Sequence, residues 1–150
     1  MIVRKIKEND IVPMINMGEL MHRVGSFKKV KYNKDKVFKI IRASIDSDTM
    51  VFFVAEDEDG YAGMMGGFLA EYSISYEKYA SDFLMFIKEE KRGGDTAIKL
   101  LNLFEDWAKS KGVKEIRLGS SHGIDTEKVK KFYEWQKYET IGHLFRKEIE

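Results

Sequence analysis

The sequence has no cysteine, a single proline among its 150 residues and no long apolar run. The lack of cysteine excludes a disulfide framework, a thiolate zinc site and a cysteine nucleophile. No apolar run approaches the roughly 18 to 20 residues that a membrane-spanning helix needs. The first residues alternate apolar and basic side chains, unlike a signal peptide. We therefore expect a cytoplasmic protein with no membrane partner.

The charges nearly cancel, since 26 Lys and Arg residues face 25 Asp and Glu residues. A net charge of +1 argues against general nucleic-acid binding. The distribution is less even, because the stretch from Arg23 to Arg42 holds eight basic residues and one acid. This stretch is read first as exposed helix and loop, with a partner site as the alternative. With 43% hydrophobic residues, the composition is that of one globular domain over residues 1–150.

Apolar spacing and turn residues predict the order β-α-α-β-β-β-α-β-α-β, a mixed sheet covered by helices. The predicted strands cover residues 2–6, 49–56, 61–72, 81–87, 113–118 and 138–149, and the helices begin near Asn9, Asn33, Gly93 and Asp125. Gly63, Gly66 and Gly67 interrupt the third strand, which indicates a bulge or a close approach of another backbone. The chain shows neither a linker nor an internal repeat.

Residues 83–101 carry the most informative pattern: a buried strand, a charged turn with Gly93 and Gly94, and a long amphipathic helix. This order directs free N–H groups and the positive end of a helix dipole at one point, where a phosphate can bind. A plain strand-to-helix turn is an equally good reading of two glycines before a helix. The spacing matches neither a nucleotide P-loop nor Gly-x-Gly-x-x-Gly.

A second pattern lies on the predicted last helix, where Val129, Phe132 and Tyr133 share one face. A tyrosine whose hydroxyl reaches a cleft can give its proton to a leaving group. The alternative is a core aromatic side chain whose hydroxyl is hydrogen-bonded.

Together the two segments resemble the GNAT superfamily of N-acetyltransferases along essentially the whole chain. The family signature Arg/Gln-x-x-Gly-x-Gly/Ala aligns with residues 92–97, where Asp95 takes the place of a usual glycine. The C-terminal Phe-Tyr-Glu signature aligns with residues 132–138, where Lys137 takes the place of a glycine. The last residues are similar to those of short acyltransferases, including bacteriophage ones, for which the location would be the host cytoplasm.

The resemblance implies an α/β (α+β) fold with a mixed, mostly antiparallel sheet of six to seven strands and about four helices. It also implies that acetyl-CoA lies where the strand ending at Ile87 splays from the strand at 116–118. Main-chain groups of Phe86 and Ile87 would pair with the pantetheine arm. The residues implied at the pyrophosphate end are Arg92, Gly93, Gly94, Asp95, Thr96, Ala97 and Thr126. Asp95 would either cap the helix or weaken phosphate binding.

For catalysis, the resemblance implies that Tyr133 protonates the departing CoA thiolate. Asp82 and Glu71 are the candidate bases, against the alternative that both are exposed strand-end carboxylates. The three histidines show no paired spacing, so we expect no metal site. Among them His122 is read first as a loop residue and second as a proton relay.

The leading hypothesis is therefore an N-acetyltransferase that moves an acetyl group from acetyl-CoA to a primary amine on a small molecule or a protein. The basic stretch slightly favours an acceptor that bears negative charge. The rival is an inactive CoA-binding regulator or protein-interaction module, which Asp95 and Lys137 favour. A nucleic-acid-binding module is the third reading. Homodimer formation is left open.

Overall fold

A computed structural model describes residues 1–120 and 122–150. Its sheet has five strands that lie in chain order. They are β1 (Ile2–Lys5), β2 (Met50–Asp57), β3 (Gly60–Glu71), β4 (Lys78–Ile87) and β5 (Ile116–Arg117). The first three pairings are antiparallel and β4 pairs with β5 in parallel. The sheet is therefore mixed and mostly antiparallel, as expected.

The helices of the described residues are α1 (Ile11–Val24), α2 (Lys34–Ile45), α3 (Thr96–Ser110) and α4 (Thr126–Trp135). Single turns of 3-10 helix cover Glu8–Asp10 and Glu89–Lys91. The apolar residues of α1 and α2 pack on one face of the sheet and those of α3 on the other. This two-sided cover follows from the strands, because alternate residues such as Phe52 and Phe53 point to opposite faces.

The expectation of six to seven strands was wrong, since the described residues form five. The predicted strand at 138–149 pairs with no strand in the described part of the chain. Beyond the half-buried Tyr138, its apolar side chains stay in solvent, with Phe145 89% and Leu144 80% exposed. Strand periodicity shows only that a segment could pair as a strand. Pairing also needs the free edge of a neighbouring strand, and β5 is only two residues long.

The glycines of β3 mark the predicted close approach and bulge. A Cβ at Gly67 would lie 2.5 Å from the Ser81 main-chain oxygen and 2.4 Å from the Phe104 ring, so glycine here lets both β4 and α3 approach closely. The register between β3 and β4 shifts at the same place, because Gly66 pairs with Leu84 and Gly67 with Asp82. Phe83 is the extra residue of this bulge, which turns β4 where it leaves β5.

A charged network anchors the start of α1 beneath the sheet edge. The Asp10 carboxylate is fully buried and binds the Arg4 guanidinium with two hydrogen bonds of 2.7 and 2.9 Å. It also accepts hydrogen bonds from the Tyr61 hydroxyl and the Lys7 amide. Burial raises the pKa of Asp10, but these bonds outweigh burial and lower the pKa to about 2.

Candidate active site

The central feature is the gap that opens where β4 and β5 part. The two strands pair at Ala80 with Ile116 and at Ser81 with Arg117. The next residue, Asp82, contacts the strand end through its side chain, as Oδ1 accepts a hydrogen bond from the Gly119 amide at 3.2 Å. Within the described residues, β4 then continues to Ile87 with β3 as its only partner strand. Its other edge therefore lines a wedge between the strands.

Asp82 lies at the narrow end of this wedge, and Tyr133 of α4 lies within range of its charge. Burial raises the pKa of the Asp82 carboxyl, and hydrogen bonds from the Gly119 amide and its own amide offset part of that rise, leaving a pKa of about 6. Burial and then the negative charge of Asp82 raise the pKa of Tyr133. The side chains are thus close enough for one charge to act on the other. The phenol keeps its proton at neutral pH.

The end of α4 holds Tyr133 in place. The Lys137 amide donates to Glu134 and the Tyr138 amide donates to Tyr133, at 3.0 and 2.9 Å. This pair of bonds is a Schellman motif, which needs a left-handed residue at its turn. Lys137 has a φ of +74°, a left-handed conformation that glycine adopts without strain. This explains why the family pattern has glycine at this position. The Tyr133 and Tyr138 rings lie 5.8 Å apart across the motif.

The start of α3 lies at the other end of β4 and is open to a ligand. The Asp95 side chain makes no cap on the helix, and its carboxylate pairs with Lys99 at 3.2 Å. Gly93 has φ +90, and a Cβ at Gly93 or Gly94 would meet nothing within 4 Å. The turn at Gly93 and Gly94 is therefore open to a phosphate, whereas Thr96, the first residue of α3, is buried and only 3% exposed. The expectation that Asp95 caps the helix was wrong, since its carboxylate pairs with Lys99 instead.

Arg92 joins the end of β4 to the start of α4. Its Nε donates to the Ile87 carbonyl at 2.9 Å, and its Nη1 lies 3.5 Å from the Asp125 carboxylate. Asp125 immediately precedes the exposed Thr126, so Arg92 and Thr126 lie at one end of the wedge. The Ile87 carbonyl, one of the main-chain groups expected to pair with a pantetheine arm, is therefore already bonded to Arg92.

Glu71 does not share this site. It is exposed at the end of β3 and pairs with Lys78, four positions from Gly67, the residue opposite Asp82. Four strand residues span roughly 13 Å. Of the two candidate bases, the structure brings Asp82 to Tyr133 and leaves Glu71 apart.

His122 lies in a turn, as its first reading expected, but the sequence did not reveal its contacts with the end of α1 and with β4. Burial lowers its pKa, which a hydrogen bond with the Phe83 main chain partly offsets. Its ring stands edge-on to Phe27 at 5.9 Å, and its own carbonyl accepts from the Ser26 amide at 2.6 Å. His122 therefore ties the end of α1 to the bulge in β4. Its position after a predicted strand was the one sequence signal available.

The described ranges hold no group of three or more His, Asp or Glu side chains placed to share a metal ion. No helix in those ranges is long and apolar enough to cross a membrane.

Comparison with known proteins finds relatives by structure. No family model matches the chain, and no curated protein matches it significantly. Among solved structures, AAC(6')-Iy in complex with the bisubstrate analogue CoA-S-monomethyl-acetylneamine has a TM-score of 0.81 at 11% identity, over 99% of this chain and 97% of that one. An aminoglycoside acetyltransferase from an uncultured soil metagenomic sample, in complex with sisomicin, has a TM-score of 0.72 at 16% identity, over 99% and 96%. A transcriptional regulator from Bacillus halodurans has a TM-score of 0.78 at 18% identity, over 99% of both chains. At these identities the likeness shows a common fold.

Proposed function

We propose that this chain, whose fold is that of the GNAT-type acetyltransferases, moves an acetyl group from acetyl-CoA to a primary amine. The observation that carries the proposal is the wedge between β4 and β5, with Tyr133 and Asp82 at its narrow end and the open start of α3 at the other. A long thioester donor can span these two points, with its phosphates at the helix and its acetyl group beside the tyrosine.

The α3 end would hold the pyrophosphate. Amides from Gly93 to Ala97 would donate to the phosphate oxygens, where the helix dipole favours negative charge. The Arg92 guanidinium would add a positive charge and the Thr126 hydroxyl a further donor. Asp95 does little to oppose this, since its carboxylate is exposed and paired with Lys99. Main-chain groups of β4 near Phe86 would pair with the pantetheine arm like an added strand.

At the narrow end the amine nitrogen would attack the thioester carbon directly. A carbon–nitrogen bond forms, the carbon–sulfur bond breaks, and Tyr133 gives its proton to the departing thiolate. The proton that the amine loses would go to Asp82. With a pKa of about 6, this carboxylate is mostly ionised at pH 7 and is more basic than an ordinary aspartate. Direct attack suits a chain that has no cysteine to carry the acetyl group.

Two measurements test the proposal in sequence. Acetyl-CoA should raise the unfolding temperature of the purified protein, and thiol release should then appear with a member of a panel of primary amines. Tyr133→Phe should keep the thermal shift and lower the rate by roughly a hundredfold or more. Tyr76→Phe is the matched control, because Tyr76 is 92% exposed, and its rate should equal that of the parent protein. An unchanged rate in Tyr133→Phe would show that Tyr133 is not the general acid.

The same experiment separates the enzyme from an inactive regulator. A thermal shift with acetyl-CoA but no thiol release across the panel would favour a CoA-binding regulator. The two departures from the family pattern no longer favour that reading strongly. Asp95 is engaged with Lys99, and Lys137 adopts the backbone that the family glycine would adopt.

A further inference from the structure

A cavity of about 310 Å³ lies between α1, α2 and the sheet, on the face of β4 opposite α3. Its walls are almost entirely apolar. They include Met14 and Met21 of α1, Val37 and Ile40 of α2, and Phe83 and Leu84 of β4. Gly18 is part of this construction, since a Cβ there would lie 2.6 Å from the Tyr32 hydroxyl. Glycine at this point lets the Tyr32 ring close over α1 and form one wall.

The polar groups of the lining are few. The Tyr32 hydroxyl is already used, because it donates to the Ile15 carbonyl at 2.9 Å. His22 and His122 are the remaining titratable side chains of the lining, and no lining residue carries a carboxylate. A ligand rich in hydroxyl and ammonium groups would lose its water here without gaining hydrogen-bond partners, which disfavours its binding. The occupant is therefore mainly apolar.

The size of the cavity narrows the class of occupant. An engineered apolar cavity of about 150 Å³ binds benzene. Twice that volume holds an aromatic ring together with a short aliphatic chain. A ligand with an aromatic ring suits the lining, which carries the rings of Phe27, Tyr32, Phe52 and Phe83. Aromatic pairs contribute binding energy beyond the burial of apolar area.

One wall of the cavity lies beside the wedge, next to Asp82 along β4. Phe83 and Leu84 on its wall belong to the bulge in β4, one residue beyond Asp82. His122 lines the cavity and binds the Phe83 main chain. With one ring nitrogen donating to that main chain, the other nitrogen of a neutral imidazole is an acceptor. At this end of the cavity an amino group would find an acceptor close to the proposed thioester site.

We propose that this cavity binds the acceptor, and that the acceptor is a primary amine on an apolar body of about phenylpropylamine size, with its amino group at the His122 end. The inference rests on the proposed function. It replaces the expectation of an acceptor that bears negative charge, which came from the basic stretch alone. It also differs from a polycationic acceptor, which Lys28 and Lys31, beside Phe27 and Tyr32, would repel.

The test compares phenylpropylamine, propylamine and kanamycin by calorimetric binding, with and without acetyl-CoA, and by thiol release. Phenylpropylamine should bind at least about tenfold more tightly than propylamine, which carries the same amino group without the ring. Kanamycin should not bind at these concentrations. Tighter binding of kanamycin, or equal binding of the two simple amines, would overturn the proposal.

Matched variants locate the site. Val37→Phe fills the cavity from α2 and should weaken phenylpropylamine binding about tenfold or more. Val12→Phe makes the same change on α1 at a residue that is 62% exposed, and binding should not change. Val37→Ala enlarges the cavity and should favour the longer phenylhexylamine, which keeps the test decisive if the larger side chain prevents folding. Binding that is indifferent to both changes at Val37 would refute the assignment.

Two outcomes distinguish a wrong acceptor from a wrong enzyme. Acetyl-CoA binding and thiol release with other amines, without any preference for phenylpropylamine, would leave the acetyltransferase standing and refute the apolar acceptor. Phenylpropylamine binding that is lost in Val37→Phe, in a protein that acetyl-CoA does not stabilise, would refute the proposed enzyme and the acceptor role together.

Discussion

Asp82→Asn should stabilise the protein at neutral pH while it removes the proposed base. The Asp82 carboxylate is less stable in the folded protein than in water, which is why its pKa rises from 3.8 to about 6. At about 1.36 kcal/mol per pKa unit, the ionised group costs the fold about 3 kcal/mol at pH 7. Asparagine carries no charge, and its Oδ1 can still accept from the Gly119 amide. The substitution should therefore recover up to about 3 kcal/mol.

The effect of Asp82 on stability should depend on pH, in a direction that follows from its raised pKa. A folded pKa above the unfolded one means that the carboxyl favours folding while it is protonated. Its cost appears as pH rises from about 4 and is complete above about 6. Urea unfolding of the parent and of Asp82→Asn should thus differ most at pH 7 and by less than about 1 kcal/mol at pH 4.

Glu71→Gln is the matched control for this experiment. Glu71 is exposed at the end of β3, so its neutralisation should change the free energy of unfolding by no more than about 0.5 kcal/mol at either pH. Equal effects of the two substitutions, or a gain in Asp82→Asn that is the same at pH 4 and pH 7, would refute the burial argument.

The same variant tests catalysis. If Asp82 accepts the proton of the amine, thiol release by the parent should fall below about pH 6, and Asp82→Asn should lower the rate by roughly a hundredfold or more. A protein that becomes more stable and less active cannot owe its lost activity to unfolding. An acid limb that persists in Asp82→Asn would instead assign the titration to another group, such as His122.

Three further predictions test the surrounding structure. Ala97→Glu should abolish the thermal shift with acetyl-CoA, since it places a carboxylate at the half-buried start of α3, and a retained shift would place the phosphates elsewhere. Lys137→Gly should stabilise the protein by about 1 kcal/mol in urea unfolding because φ is +74 there, whereas Gly112→Ala at φ +76 should destabilise it by a similar amount. Asp10→Asn should cost about 2 to 4 kcal/mol because the Arg4 charge loses its buried partner, whereas Glu56→Gln on the exposed side of Arg4 should cost under about 1 kcal/mol. The Asp10 contribution should persist above pH 4 and be lost as pH falls toward 2, since its pKa is lowered to about 2.

The sequence by itself determined the fold class and the order of elements up to α4. The apolar stripe of α3 was readable because helical spacing depends on the helix alone, and its residues Leu100, Leu101 and Phe104 are all buried. The role of Gly67 could also be predicted locally, because a glycine within a strand leaves room for a neighbouring group. The open turn at Gly93 before α3 also lay within one continuous segment.

Tertiary structure decided the rest, because the remaining properties arise between residues distant along the chain. The Asp82 carboxyl differs from that of Glu71 because it is buried and because it accepts a hydrogen bond from the amide of Gly119, 37 residues away. The last predicted strand found no edge to pair with, which its own alternation could not reveal. The apolar cavity exists because α1, α2, β4 and the segment at His122 come together. A pKa and a cavity depend on neighbours, and the neighbours are set by packing rather than by sequence spacing.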